Sequence, residues 1–138
     1  MDGETRVTGS CLCGGVTYSL SAPPVFTAIC HCRHCQRQTG SAFSLVTGFP
    51  VAAYDQSGPT QVYHDTSETG RKLERHFCGI CGSAVLSRIE PLADLVLIKS
   101  GTLDATEDLQ PVVEVFCASR MAFLPDFDGT ERHARSNV

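Results

Sequence analysis

Short stretches in which apolar and polar side chains alternate run along most of the 138-residue chain. Val16, Tyr18 and Leu20 alternate with two polar residues, which is the period of a strand that buries one face. Comparable stretches predict seven further strands, at residues 25–30, 43–49, 61–64, 71–77, 84–87, 95–99 and 112–116. One short helical turn is predicted at residues 33–39, before Gly40. The pattern therefore predicts a mainly β fold, arranged as a small sheet or sandwich of short strands.

Proline, glycine and serine mark the breaks between these strands. Pro23-Pro24 ends the first strand, and Ser57-Gly58-Pro59 and the segment 67–70 are predicted turns around a hairpin. The return arm of this hairpin leads into a cysteine pair at residues 78 and 81. Because no repeat, low-complexity stretch or linker interrupts the pattern, we expect a single domain over residues 1–138, with a tail that frays from Thr130.

The charge balance argues against nucleic acid as a main partner. The formal net charge is −4, whereas a domain that binds phosphates usually carries a basic surface. Arg71, Lys72 and Arg75 lie close together in sequence, but Glu68 and Glu74 lie among them. We therefore expect this stretch to be the solvated face of an exposed strand.

Neither a signal peptide nor a membrane span is expected. Residues 1–10 are polar and have no apolar core, and no window approaches the roughly 18 consecutive apolar residues of a spanning helix. The sequence therefore predicts a cytoplasmic protein without a membrane partner. Because cytoplasmic thiols stay reduced, clustered cysteines are expected to bind metal rather than to form disulfides.

Seven of the eight cysteines fall into three short clusters, which are Cys11-Leu12-Cys13, Cys30-His31-Cys32-Arg33-His34-Cys35 and Cys78-Gly79-Ile80-Cys81. Cysteines this close in sequence place their sulfurs on one turn, near enough to share a tetrahedral Zn²⁺ at about 2.3 Å per bond. A four-sulfur site uses four of these thiols and leaves three. Because three thiolates leave the fourth position of zinc free, the remainder predicts an enzyme rather than a purely structural zinc module.

The spacing allows two ways of sharing the thiols. Glycines follow Cys13 and Cys81 and can direct backbone amides at the sulfurs, which favours a closed site made by the first and third clusters. The closed site would then comprise Cys11, Cys13, Cys78 and Cys81, and a second site would comprise Cys30, Cys32 and Cys35. The alternative is a zinc ribbon made of Cys32, Cys35, Cys78 and Cys81. Spacing alone leaves both partitions open.

The fourth ligand of the second site is also left open. It is either water, which makes the site available for chemistry, or a histidine, namely His31, His34, His64 or His76. Three thiolates make zinc a weak Lewis acid, so an open site favours binding of an incoming thiol over activation of water. Arg33 and Arg37 are candidate partners for the carboxylates of a tripeptide thiol, with ordinary surface arginines as the alternative. No proton donor is assigned, since water or the hydroxyls of Thr39 and Ser41 would serve.

Three stretches of the chain resemble the glutathione-dependent formaldehyde-activating enzyme family, whose eukaryotic relatives include centromere protein V. They are GSCLCGGV at residues 9–16, CHCRHCQRQTGSAF at residues 30–43 and RHFCGICGS at residues 75–83. The likeness extends over residues 9–129, nearly the whole chain. Seven cysteines at matching spacing, with their flanking glycines, make the resemblance specific.

The resemblance implies a partition, a fold and a reaction. Two Zn²⁺ ions per chain are implied, a structural one on Cys11, Cys13, Cys78 and Cys81 and a catalytic one on Cys30, Cys32 and Cys35 with an exchangeable fourth ligand. The implied fold is a small zinc-pinned β-tent of short antiparallel sheets. The implied reaction is formation of S-hydroxymethylglutathione from formaldehyde and glutathione, classed as that of a carbon–sulfur lyase.

One departure and two alternative functions accompany this resemblance. Such proteins commonly carry tryptophan near Phe123, where this chain has Met121-Ala122-Phe123, and we expect a conservative exchange of a core aromatic residue.

A non-enzymatic, zinc-stabilised protein-binding module is the main alternative, because the β-tent is shared with a small zinc protein that chaperones Rab GTPases. That alternative predicts a closed or dispensable second site and an apolar surface patch. For a redox role, Cys117 would be the nucleophile, but a buried structural thiol is expected there.

Overall fold

Eleven short strands and one α-helix form the fold over residues 6–138, the part of the chain that this computed structural model describes. The strands are β1 Val7–Ser10, β2 Thr17–Leu20, β3 Phe26–Cys30, β4 Ser44–Pro50, β5 Tyr54–Ser57, β6 Gln61–Thr66, β7 Lys72–Phe77, β8 Ala84–Ile89, β9 Leu95–Lys99, β10 Val113–Val115 and β11 Glu131–Arg132. The helix is α1 Arg33–Thr39. The predicted mainly β class is confirmed, since 40% of the residues are in strands. The sequence predicts no signal peptide in residues 1–10. The first five of these lie outside the described residues.

Helix α1 occupies the predicted residues because both of its ends are marked by local chemistry. The Cys32 sulfur accepts a hydrogen bond from the Cys35 backbone N–H at 3.2 Å and so caps the first turn. At the other end Gly40 adopts a left-handed conformation with φ of 66°, which favours glycine. The helix therefore begins inside the second cysteine cluster. Among the described residues, no helix is long and apolar enough to cross a membrane.

The strands form two sheets that share a core. One sheet has three strands in the order β1-β2-β5, and the other has eight in the order β11-β10-β3-β4-β9-β8-β7-β6. Tyr18 and Leu20 of the small sheet pack against Phe49, Val96 and Ile98 of the large one. All five side chains are at most 4% exposed, so this interface is the main apolar core.

Most ladders are antiparallel as expected, but both ladders of β10 are parallel. Strand β10 runs parallel to β3 on one side and to β11 on the other. A parallel pair needs a long connection: residues 116–130 join β10 to β11, and residues 100–112 carry the chain from β9 past β4 and β3 to the place of β10 beside β3. The connection from β9 to β10 has little periodicity, which is why the strand pattern did not predict the direction of β10.

The expected fraying of the tail from Thr130 is wrong. Strand β11 pairs with β10, and the carbonyls of residues 133–135 accept hydrogen bonds from the backbone N–H groups of Phe116, Cys117 and Ala118. The tail is ordered because its backbone satisfies a sheet edge that would otherwise be unpaired. That the whole chain is a single domain stays a prediction.

Strands β1 and β5 were also missed, and both belong to the small sheet. β1 contains Gly9, which faces Tyr18 across the ladder so closely that a side chain there would collide with the tyrosine ring. β5 has the polar sequence Tyr-Asp-Gln-Ser. Neither segment carries an alternating apolar pattern, so their pairing depends on tertiary context.

The opposite face of the large sheet lines a cavity of about 310 Å³. Successive side chains of a strand point to opposite faces, so residues that alternate with the core residues face this cavity. In β9, Val96 and Ile98 lie in the core whereas Leu97 and Lys99 line the cavity. In β3, Ala28 and Cys30 do so, which places part of the second cysteine cluster on the cavity wall.

Candidate metal centres and the adjoining cavity

The first and third cysteine clusters come together, although they are far apart in sequence. Cys11 follows β1 and Cys78 follows β7, and the four sulfurs lie within 4.8 Å of one another. We call this group the four-thiol cluster, and its members are Cys11, Cys13, Cys78 and Cys81. The alternative partition, in which Cys78 and Cys81 join the second cluster, is not the one that the fold brings together.

Backbone N–H groups point at the sulfurs of the four-thiol cluster. Val16 donates to Cys11 at 3.3 Å, Gly15 to Cys13 at 3.4 Å and Ile80 to Cys78 at 3.4 Å. Such donors stabilise thiolates and orient metal ligands. A hydrogen bond with the Ser83 hydroxyl, with further help from the Ser83 backbone, lowers the pKa of the Cys81 thiol to about 5. Four sulfurs with these donors fit a closed tetrahedral site for a thiophilic metal.

The second cluster forms a separate group on the other side of the large sheet. Cys30 ends β3, Cys32 caps α1 and Cys35 lies in its first turn, and their sulfurs lie within 4.8 Å of one another. We call this group the three-thiol cluster. Phe116 and Val115 pack against it, and none of its cysteines belongs to the main core. All eight cysteines of the chain are free thiols.

Ionisation of all three thiols is opposed unless a cation lies between the sulfurs. Hydrogen bonds from the Cys30 and Cys32 thiols lower the pKa of Cys35, and the charges of Lys99 and Arg75 lower it further. The same contacts raise the pKa of Cys30, because hydrogen bonding to Cys32 and Cys35 and then burial favour its neutral form. One thiolate is therefore favoured and a second is opposed. A divalent cation would remove that opposition, so this donor set also fits a metal.

Two buried cations adjoin the three-thiol cluster. The Arg75 guanidinium lies 3.9 Å from the Cys35 sulfur and donates from Nε to Asp65 at 2.9 Å. The Lys99 ammonium donates to the Ser44 hydroxyl at 2.6 Å. Arg75 is 3% exposed, so the expectation that it lies on a solvated strand face is wrong. It faces the thiols because β7 places Leu73 and Arg75 on the cavity side.

No histidine completes the three-thiol cluster. Over residues 6–138, no fourth cysteine, histidine, aspartate or glutamate side chain lies within 4.8 Å of all three sulfurs. His34 pairs with Asp65 at 3.1 Å and His76 with Glu74 at 3.0 Å. His64 is exposed and lines an open groove elsewhere on the surface.

His31 has a different partner, which the sequence did not reveal. It lies between two of the thiols in the sequence and is fully buried in the structure. Its Nε2 lies 2.8 Å from a carboxylate oxygen of Glu114 in β10. Glu114 is also fully buried and accepts from Thr130 at 2.5 Å and from Arg132 at 3.2 Å. This network ties the loop of the three-thiol cluster to β10 and β11. An acidic residue inside the apolar stretch 112–116 was the available signal.

Cys117 lies beside that network rather than in either cluster. Its sulfur lies within 4.8 Å of ligand atoms of His31 and Glu114, and the residue is half-buried. Burial, with the nearby charge of Glu114, raises the pKa of the Cys117 thiol. A raised pKa leaves less of the reactive thiolate, in keeping with a structural thiol.

The three-thiol cluster opens into the cavity together with Ser44, Arg75 and Lys99. Most of the remaining wall is apolar, and residues 136–138 line its edge. Arg33 and Arg37 line a separate groove of about 520 Å³, and Arg75 borders both spaces.

Three side chains considered from the sequence, those of Thr39, Ser41 and Phe123, do not line the cavity. Thr39 donates its hydroxyl to the Cys35 carbonyl at 2.8 Å, and neither it nor Ser41 lines the cavity. Phe123 is 75% exposed, so the expected exchange of a core aromatic residue is wrong. Phe123 lies between the 3-10 turn Cys117–Ser119 and β11.

A model of the family described as glutathione-dependent formaldehyde-activating enzyme matches residues 6–119. A crystal structure of a Rhodobacter sphaeroides protein is similar with a TM-score of 0.58 and 18% sequence identity, over 73% of this chain and 91% of that chain. At that identity the structural likeness concerns the fold.

Proposed function

The chain belongs to the glutathione-dependent formaldehyde-activating enzyme family, and from this we propose that it is a zinc-dependent carbon–sulfur lyase acting on glutathione–aldehyde adducts. The reaction is the reversible addition of the glutathione thiol to an aldehyde, with S-hydroxymethylglutathione as the adduct of formaldehyde. The observation that carries the proposal is the three-thiol cluster, which opens into a cavity beside two buried cations.

The two cysteine clusters have different roles in this proposal. The four-thiol cluster holds a structural zinc, because four sulfurs leave no position for a substrate. The three-thiol cluster holds the catalytic zinc through Cys30, Cys32 and Cys35. When bound there, zinc supplies a position at which an incoming thiol loses its proton at neutral pH.

Lys99 acts on the aldehyde oxygen, and Ser44 positions Lys99. In the addition, a sulfur lone pair forms the new S–C bond, the π pair of the carbonyl moves to oxygen, and the proton released by the thiol ends on that oxygen. The Lys99 ammonium, positioned by its hydrogen bond to Ser44, donates a hydrogen bond to the oxygen as negative charge develops there. Because Lys99 is only 7% exposed, its charge is poorly screened by water.

The groove beside the cavity provides the binding site for the glutathione backbone. Arg33 and Arg37 line it and are candidate partners for the two carboxylates, and Arg75 lies where the groove meets the cavity. Two carboxylates also line the groove: Asp65 is paired with Arg75, and Glu68 accepts a hydrogen bond from the Arg33 backbone N–H at 3.1 Å. Glutathione would lie in the groove with its thiol directed at the three-thiol cluster.

A cysteine exchange with a matched control tests this function. We expect zinc-loaded Cys32→Ser to form the adduct at close to the uncatalysed rate, measured by exchange NMR of glutathione with formaldehyde. Cys117→Ala, which removes a thiol outside both clusters, should keep the wild-type rate within about twofold. A Cys32→Ser protein of unchanged melting temperature that keeps the full rate would contradict the proposal.

A further inference from the structure

The cavity face of the large sheet changes character along its strands. Cys30 lies opposite Ser44 across the β3–β4 ladder, and the next residue of β3 on that face, Ala28, lies opposite Val46. Phe26 follows at the far end. Phe26 is four positions before Cys30, a distance of about 13 Å along a strand. The wall therefore runs from thiols and a hydroxyl at one end to hydrocarbon at the other.

The hydrocarbon part of this wall is large and incompletely covered. Val46, Leu73, Ile89 and Leu97 all line the cavity and are only half-buried. None of them belongs to the main core or to the cluster around Phe116. Binding sites for small apolar groups have this composition, with a few polar groups at one end that fix orientation.

The size and lining of the cavity match neither formaldehyde nor the glutathione backbone. A volume of about 310 Å³ is room for roughly ten water molecules. Formaldehyde has a single carbon and no chain to place against the apolar wall. The glutathione backbone is charged and polar and is better suited to the groove that carries Arg33 and Arg37.

We propose that the electrophile of this enzyme is an aldehyde with a hydrocarbon chain, which packs along the apolar wall while its carbonyl reaches the three thiols and Lys99. The inference rests on the proposed function and names the substrate class of the same site. The bond changes are those of the addition already described: the S–C bond forms, the carbonyl π bond breaks, and the thiol proton ends on oxygen. No oxidant or reductant is required.

The chain-length dependence of the reaction tests the inference. With glutathione as the thiol, we expect kcat/KM to rise about fourfold per methylene from propanal to hexanal, and hexanal to exceed formaldehyde. A flat or falling series with robust turnover of formaldehyde would overturn this inference and leave the proposed function standing. No turnover of any aldehyde above the uncatalysed rate would overturn both.

Binding of stable thioethers provides a test that does not depend on turnover. S-hexylglutathione should bind the zinc-loaded protein at least tenfold more tightly than S-methylglutathione in calorimetry, because only the longer chain reaches the apolar wall. Equal affinities would overturn the inference.

Narrowing the cavity should remove the preference for S-hexylglutathione over S-methylglutathione. Ala28→Leu places a larger side chain on the wall, so S-hexylglutathione should lose at least tenfold in affinity while S-methylglutathione changes by less than about twofold. Ala52→Leu, at an exposed position outside the cavity, is the matched control and should change neither. A folded Ala28→Leu protein that retains the preference would contradict the proposed location.

Discussion

The four-thiol and three-thiol clusters use the same side chain in opposite settings. Cys11 and Cys78 of the four-thiol cluster are 3% and 1% exposed and belong to the core shared by the two sheets. The three-thiol cluster lies outside that core, where the large sheet faces a cavity. The number of sulfurs and the adjacent space, rather than the identity of the ligands, distinguish a site suited to stability from one suited to chemistry.

The two clusters also differ in the hydrogen-bond donors and charges that surround their sulfurs. Neutral backbone N–H groups and the Ser83 hydroxyl contact the sulfurs of the four-thiol cluster. At the three-thiol cluster the neighbours include the buried basic side chains of Arg75 and Lys99, which lower the pKa of Cys35, although burial in turn lowers the pKa of Lys99. Buried cations are costly, so their placement beside thiols and a cavity favours a role toward an anionic or polarised ligand.

The largest expected effect is on stability, and it separates the two clusters. Cys78→Ser should lower the melting temperature by on the order of 15 °C or prevent folding, because under the proposed function it removes a ligand of a structural zinc, whose loss costs more than about 4 kcal/mol. Cys32→Ser should lower it by less than about 5 °C, since serine also caps a helix and α1 keeps its start. Thermal unfolding followed by circular dichroism measures both. Equal losses would contradict the division of roles.

The next largest effect is on catalysis and concerns Lys99, which adjoins only the three-thiol cluster. Lys99→Met should lower kcat by about 10²–10³-fold with little change in KM, because it removes the donor to the developing negative charge. Lys72→Met, at an exposed position of β7, is the control and should leave both parameters unchanged. Both parameters are measured by steady-state kinetics of adduct formation. A wild-type kcat in Lys99→Met would contradict the role of Lys99 as a donor to the aldehyde oxygen.

The smallest effect concerns Glu114, which links the loop of the three-thiol cluster to Thr130 and Arg132. Burial alone would raise the pKa of Glu114, but hydrogen bonds from Thr130, His31 and Arg132 outweigh it and lower the pKa below its ordinary value of 4.5. A lowered folded-state pKa stabilises the fold above pH 4.5, and this stabilisation is lost as the pH falls through the lower value.

Glu114→Gln should therefore destabilise the protein by about 1–3 kcal/mol at neutral pH and reduce the pH dependence of its stability below pH 4.5. Glu107→Gln, at an exposed loop position, should change neither. Urea unfolding from pH 3 to 7 distinguishes them. Coincident stability curves for Glu114→Gln and the wild type would show that the buried carboxylate makes no net contribution.

Features with local causes were predictable from the sequence. Helix α1 has its cap and its terminating glycine within its own residues, and the strand pattern located the segments that carry the thiols. The grouping of the thiols could not be derived from spacing alone, because the spacing allowed two partitions. It became predictable from the resemblance to a family, which the family match confirms.

The surroundings of the three-thiol cluster depend on distant residues and were missed for that reason. Arg75 contacts Cys35 across 40 positions, and Lys99 contacts Ser44 across 55. His31 finds Glu114 across 83 positions, through a parallel pairing that follows an irregular connection. A charged residue at an apolar position of a strand, as at Glu114, was the one local indication of a buried polar network.

The most direct test of the contrast is the visible spectrum of the protein loaded with two cobalt ions and titrated with glutathione. We predict a saturable change in the thiolate-to-cobalt bands that involves one of the two ions, is absent with S-methylglutathione and is lost in Cys32→Ser. Such a change would identify the three-thiol cluster as the open site that accepts the substrate thiol. An unchanged spectrum in protein carrying both ions would mean that the second site is closed, and a protein-binding role would then replace the proposed enzyme.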